Sequence, residues 1–332
     1  SQEFMVTADS GEDLILISPD GVYAANQEKA TSLFEAAAEH PEGEPKLLHT
    51  PNQKSINQLC ESNNLSPSHI LKVLLFLATL DEDEKQPILI SIRGDQELNE
   101  VKLTNLINND LGKEVLDLKI ITNEELTSQG LNSLPFGFIG PDLQDSYLKG
   151  AKSWNKKFLR YTDKTAAVMK KFICGANKED HHRILMDWCL IGGIHKENDI
   201  RKAKAGDRCI HNPDQLLEEK RGIEIGHIFQ LGKKYSEALE SFFTNESGSN
   251  EAFYMGCYGI GISRLAQAAV EQSHDDSGII WPTSIAPFEV MVIIANTKDS
   301  EQKNLGEALY EQLQKIGIEV LLDDRPDRAG VK

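Results

Sequence analysis

The sequence runs to 332 residues, 40% hydrophobic and 26% charged, a globular composition that excludes a disordered or fibrous chain. Asp and Glu total 52 against 35 Lys and Arg, a formal net charge of −17, so the cationic excess needed to coat nucleic acid without regard to sequence is missing. That length predicts about two or three domains.

The opening residues SQEFMVTADSGED contain neither a basic nor an apolar leader segment. The longest apolar stretch, Ile70 to Leu80, is interrupted by Lys72 and is too short to span a bilayer. Five scattered cysteines (Cys60, Cys174, Cys189, Cys209 and Cys257) without a C-x-x-C pair read as reduced thiols, not disulfides or zinc ligands. A soluble, cytoplasmic protein with no membrane partner is expected. The start without Met and the abrupt end at AGVK read as a piece of something longer.

FMVTA and LILIS, separated by the turns SGED and PDG, predict strands in the first 25 residues. NQEKATSLFEAAAEH has helical spacing, and PEGEP breaks the chain after it. From 47 to 206 an α/β pattern stands apart. It holds a helix over 55–63, the strand ILKVLLFLATL, a DEDEK turn and its hairpin partner PILISIR. DQELNEVKLTNLINND reads as a helix, EVLDLKIIT as a strand, and TNEELTSQG opens with a Thr122 to Glu125 capping-box spacing. PFGFIGP, a helix over DKTAAVMKKF and the apolar run RILMDWCLIG follow. Beyond 212, RGIEIGHIFQLG places Ile223, Ile225, His227, Phe229 and Leu231 on one strand face. MGCYGIGISRLAQAAVEQ reads as strand, glycine turn and helix, and FEVMVIIAN through IEVLLDD is a β-α-β unit.

Lys72 stands on an apolar strand that shows hydrophobic residues on both faces. Either it reaches a carboxylate, a pocket or an anion, because an unpaired ammonium is costly to desolvate, or its stem snorkels to water from an edge position. GFIGP can present main-chain N–H groups to an anion or carbonyl, or be an ordinary tight turn. His181 and His182 are a candidate proton shuttle or two surface histidines. RGDQELNEVK reads mostly as a solvated helix face. GCYGIGISR has G-x-x-G-x-G spacing with no acidic residue about twenty positions on at a second strand end, so a dinucleotide fold, and with it a dehydrogenase, fits poorly. It suits a strand entering a helix with Arg264 in the first turn, placed to clamp a phosphate, or a glycine-relaxed packing site.

RGIEIGHIFQLGKKYSEAL, GCYGIGISRL and GIIWPTSIAPFEV resemble the class II catalytic domain of bacterial-type prolyl-tRNA synthetases, with GCYGIGISR similar to that class's third signature motif. ILKVLLFLA, RGDQELNEVK, GFIGP and CGANKEDHH are similar to the family's inserted editing domain, which hydrolyses alanine mistakenly attached to proline tRNA. The resemblance implies a multidomain α/β and α+β fold: catalytic residues 1–46, an inserted editing domain at 47–206, an antiparallel-sheet catalytic return at 207–286 and the start of an anticodon-binding domain at 287–332. It implies ATP-dependent attachment of proline to tRNA(Pro), with Mg2+ accompanying ATP, and a homodimer. By resemblance Arg264 sits on the triphosphate with Gly259 and Gly261 beneath the nucleotide, while Glu3, His227, Phe229 and Cys257 line the proline and adenosine pocket. In the editing site Lys72 binds the terminal phosphate or the ribose hydroxyls, Gly137 and Gly140 hold the carbonyl or the terminal ribose, and Asp163 and His182 shape the alanine pocket and the water's position. The family's first two motifs and its dimer-forming helix have no counterpart in these residues, so hydrolysis is expected to survive better than synthesis. The alternative is a non-catalytic tRNA-binding piece. GDRCIHNPDQ keeps only Cys209 of a knuckle that many relatives carry, which argues against zinc.

Overall fold

The computed structural model describes residues 1–37, 42–80 and 84–332. The chain divides into two compact units, Leu14–Glu219 and Ser1–Asp13 with Lys220–Lys332.

At the centre of Leu14–Glu219 lies a five-stranded sheet in the order Glu197–Asn198, Leu159–Asp163, Lys85–Arg93, Leu71–Thr79, Asp117–Ile120. The expected hairpin forms, with pairing from Leu71 opposite Arg93 to Thr79 opposite Lys85. Residues 81–83 of its DEDEK turn lie outside the described residues. Lys85–Arg93 pairs in parallel with Leu159–Asp163. Period-2 alternation sends Phe76 and Ala78 to one face, against Ile88, Ile90, Leu103, Ile107 and Tyr161. Leu75 and Leu77 go to the other, against Leu89, Ile121, Leu148 and Trp154. With both faces covered, the strand reads as one continuous apolar run, and each fully buried large aliphatic contributes about 1.5–3 kcal/mol.

A second, three-stranded antiparallel sheet joins Lys46–His49, His181–Met186 and Phe172–Gly175. A parallel bridge between Ile70 and Ile173 ties it to the start of the long hairpin. Helix Ile56–Asn63 opens with a reciprocal Ser55/Gln58 capping box, and Asn123–Ser128 opens with the expected Thr122/Glu125 box.

Three expectations are corrected. The helix expected from 95 begins at Glu100 because Asn99 acts as its cap, accepting from the Val101 and Lys102 N–H groups. Its preceding segment is no solvated face: Arg93, Gln96 and Asn99 are buried. Over 163–172 only Lys164–Ala167 is helical, because Lys171 turns left-handed (φ 49°) and Phe172 enters a strand with its ring buried. Tertiary burial overrides local propensity there. Residues 27–37, expected as helix, are turn and irregular chain, with Leu33 bridged to Arg208 and the Tyr23 hydroxyl bonded at both its donor and its acceptor to Thr31. Residues 38–40 of that expectation are outside the described residues.

In the other unit, Glu218–Gly232 pairs antiparallel with Gln2–Thr7 and with Met255–Ile260. Helix Ile262–Gln272 follows directly after Gly261, giving the expected strand, glycine turn and helix. The β-α-β unit also forms: Val290–Ile293 and Val320–Asp323 pair in parallel around helix Ser300–Lys315, which Asp299 caps.

Candidate functional site

Pairing between Leu71–Thr79 and Asp117–Ile120 covers only residues 76–79. A cleft of about 340 Å³ opens along residues 70–75, lined also by Lys54, Phe136, Gly137, Ile139 and His182. Lys72, half-buried, donates its ammonium to the main-chain carbonyl of Gln96 at 2.7 Å. Burial holds it below the ordinary lysine range, and the carboxylates of Glu97 and Asp95 oppose that shift. Lys72 therefore reaches a carbonyl, a partner that the strand pattern alone did not offer.

His182 is 4% exposed, with Nδ1 2.7 Å from the Thr50 hydroxyl. Burial pushes its pKa down to about 4, against a hydrogen bond to the Gly137 main chain that favours the charged form. The ring's polar partners are thus the Thr50 hydroxyl and the Gly137 main chain. The ring also packs on Phe138, centroids 5.2 Å apart. At neutral pH His182 is thus an uncharged brace of the Gly137 stretch.

The Gly137–Gly140 stretch is seated by a polar clamp. Gly140 N–H donates to Asn177 Oδ1 at 2.7 Å, and Asn177 Nδ2 donates to Asp142 Oδ1 at 2.9 Å. Arg183 grips both Asp142 oxygens, at 2.8 and 2.6 Å. Burial acts to raise the Asp142 pKa, yet its bonds to Arg183 outweigh that and hold the carboxyl below the usual range. Two glycines make this approach possible. Gly137 has φ +94°, and a Cβ on it would lie 2.8–2.9 Å from Lys54; a Cβ on Gly175 would lie 2.3 Å from the Phe138 main chain.

Lys72, Gly137 and His182 thus line one cleft. Gly140 does not offer a spare N–H there, since Asn177 takes it. Asp163, 0% exposed, accepts from the Thr165 N–H and hydroxyl on one oxygen and from Ile200 N–H on the other, so its carboxylate caps the short helix and ties down residue 200 instead of lining the cleft. His181 faces His49, ring centroids 5.1 Å apart. Thr50, Asn177, Asp142 and Arg183 escaped the sequence reading. The asparagine and arginine that flank the His-His pair were visible signals, whereas Thr50 offered none.

In the other unit a groove of about 490 Å³ is lined by Glu224, His227, Phe229, Gly259, Gly261 and Arg264, among others. Strand register sets Glu3 and Gly259 on either side of His227, and Cys257 opposite Phe229. The His227 and Phe229 rings stack 3.7 Å apart at 4°. His227 Nδ1 meets Glu224 Oε1 at 2.9 Å, and among the described residues its buried Nε2 has no hydrogen-bond partner. Arg264 lies in the first helical turn and donates to the Glu224 carbonyl at 3.0 Å. All seven residues expected at a synthetic site therefore lie in or beside one groove. Among the described residues no cluster of three or more His, Cys, Asp or Glu side chains is placed to hold a metal. The five cysteines are all free.

Residues 50–191 match the aminoacyl-tRNA editing domain family. Across its whole length the chain is 61% identical to the proline–tRNA ligase of Prochlorococcus marinus (strain MIT 9211), covering 55% of that protein, and 59% identical to that of strain NATL1A, covering 56%. By sequence the chain is similar over its whole length to proline–tRNA ligases. It spans about half the length of these curated relatives. Among solved structures, prolyl-tRNA synthetase from Cryptosporidium parvum, complexed with halofuginone and AMPPNP, is 25% identical over 33% of this chain and 23% of that one, with a TM-score of 0.32. No described helix is long and apolar enough to cross a membrane.

Proposed function

We propose that the cleft beside Lys72 hydrolyses alanine from mischarged tRNA(Pro), and that the groove at Arg264 belongs to the machinery that attaches proline to tRNA(Pro) at the expense of ATP. The observation that carries the first reading is the meeting of Lys72, Gly137 and His182 in one cleft inside the stretch that matches the editing family. An aminoacyl ester is already activated, so no side-chain nucleophile is required. Water adds to the carbonyl carbon, the bond to the ribose oxygen breaks, the water's proton passes to that oxygen, and alanine leaves.

In this reading the Lys72 ammonium holds the terminal phosphate or the ribose hydroxyls, and the Gly137 stretch lies against the aminoacyl group. His182, neutral, keeps that stretch in place. Asp163 and Gly140 act at one remove, by fixing the strand end and the loop. A second hydrolytic site is physically expected, because a pocket shaped for proline rejects a smaller side chain by only about 1–3 kcal/mol per missing methylene. In the synthetic reading Arg264 meets the triphosphate, Gly259 and Gly261 let the nucleotide approach the main chain, and Glu3, His227, Phe229 and Cys257 surround proline and adenosine. Mg2+ would enter with the phosphates. A second copy of the chain and a cytoplasmic setting belong to the same proposal.

The test is hydrolysis of alanyl-tRNA(Pro) against prolyl-tRNA(Pro) by the full chain. Selective loss of alanine, reduced at least about 100-fold by Lys72→Ala, is the expected result. Undiminished hydrolysis in Lys72→Ala would overturn the assignment of Lys72. No hydrolysis by the unaltered chain would put a tRNA-binding scaffold ahead.

A further inference from the structure

Gln96 is 6% exposed and holds two cations at once: its main-chain carbonyl accepts the Lys72 ammonium at 2.7 Å, and its side-chain Oε1 accepts Arg201 Nη1 at 3.1 Å. Arg201, 2% exposed, also donates to Asp207 Oδ2 at 2.9 Å and to the carbonyl and hydroxyl of Ser32 at 2.9 and 2.6 Å. On the other side, Gln96 N–H donates to the Arg93 carbonyl at 3.0 Å. The Arg93 guanidinium clasps Asp95 through two nitrogens and reaches the Glu35 carbonyl at 2.7 Å. The Phe34 ring stands 5.9 Å from both guanidinium carbons. Lys202 N–H on the Glu97 carbonyl and Asn99 N–H on the Ile200 carbonyl, each 2.8 Å, pin the residues that follow.

Ser32, Glu35, Arg201 and Asp207 all lie outside the 50–191 match, yet the carbonyl that holds Lys72 hangs between them. A lysine on a four-carbon stem is placed only as well as its partner is placed. Residues 94–99 form neither strand nor helix, so these side chains, with the main-chain bonds at Gly94, Gln96, Glu97 and Asn99, are what hold them.

We infer that Gln96 and Arg201 are positioning residues for Lys72, through which the chain segments flanking the inserted domain fix the editing ammonium in its cleft. The inference rests on the hydrolytic reading proposed above. The titratable groups near Lys72 are Asp95 and Glu97, with Lys54 and the neutral His182 elsewhere in the same cleft. Loosening the 94–99 segment admits water to the ammonium and returns its titration toward the ordinary lysine value.

The decisive substitution is Gln96→Ala, which keeps the carbonyl that Lys72 uses and leaves Arg201 on Ser32 and Asp207. In the full chain, Lys72 titration is followed by pH-dependent amine acylation with mass spectrometry, beside kcat and KM for alanyl-tRNA(Pro) hydrolysis. Gln96→Ala is expected to move the Lys72 titration upward and to lower kcat about tenfold with KM within about twofold. Gln96→Met, equal in length but without an acceptor, gives the same shifts and guards against a cavity effect. Gln96→Glu, still an acceptor for Arg201, restores kcat to within about threefold. An unmoved Lys72 titration in both Gln96→Ala and Gln96→Met overturns the inference whatever the kinetics. Hydrolysis that survives Lys72→Ala sinks the hydrolytic reading instead, and the titration still decides whether Gln96 positions the lysine.

Discussion

His182 is buried in the neutral form, its ring held by Thr50 and the Gly137 main chain, which makes protonation a structural event. The unfolded chain takes up this proton near 6.5, whereas the folded chain does so only near about 4. The unfolded state therefore binds more protons between those values, and stability falls as pH falls through that window. The full effect is roughly 3 kcal/mol, reached below about pH 4 and absent above about pH 6.5. Urea midpoints of the full chain at about pH 4.5 and about pH 7 should differ accordingly. In His182→Gln most of the difference should vanish; an unchanged pH dependence would show that other groups carry it. Lys72 and His182 were legible as chemistry-bearing residues because each breaks a local rule, one a charge in an apolar strand and the other a histidine beside acidic loop residues. Their partners were not legible, since Gln96 and Thr50 lie 24 and 132 residues away in the chain.

At the scale of elements, the strand Phe172–Gly175 and the Gly137 stretch touch main chain to main chain. Gly175 pairs with His182, and a Cβ on it would lie 2.3 Å from Phe138 and Ile139 main-chain atoms that cannot rotate aside. Gly175→Ala is expected to push that stretch off its seat, destabilising the unit by about 1–3 kcal/mol. It should also lower alanyl-tRNA(Pro) hydrolysis more than substrate binding, which single-turnover rates against filter-binding affinity would separate; wild-type hydrolysis would refute the seating role. Regular elements were readable from periodicity and caps: the hairpin, the Thr122/Glu125 box and the closing β-α-β unit all form. Elements fixed by distant burial were not. The short helix at Lys164–Ala167 stops because the Phe172 ring belongs to a buried cluster with Trp188 and Met186, a contact that helical propensity cannot anticipate.

At the scale of the whole Leu14–Glu219 unit, the acidic sequence conceals how its arginines are spent. RGDQELNEVK reads as a solvated face because its letters are polar, yet Arg93 and Arg201 are each 2% exposed, Arg93 reaching the Glu35 carbonyl and Arg201 joining Gln96 to Ser32 and Asp207. Polar letters pointed outward only while their partners, scattered from Ser32 to Asp207, were out of sight. Removing Arg201 would leave the Asp207 carboxylate, largely buried, without its guanidinium and the Ser32 carbonyl without a donor. Breaking one side of a buried pair costs about 3–5 kcal/mol, because the remaining charge stays desolvated. Arg201→Ala should therefore lower the urea midpoint of the unit strongly, while Gln96→Ala, which leaves those contacts intact, should barely move it. Salt separates this from a surface effect: exposed ion pairs fade as ionic strength rises, whereas a dry one is screened little, so the Arg201→Ala penalty should be nearly the same at about 0.1 M and about 1 M salt. A penalty that disappears in high salt would mean that Arg201 acts as a surface charge, and that Ser32 and Asp207 do not hold it in a dry contact.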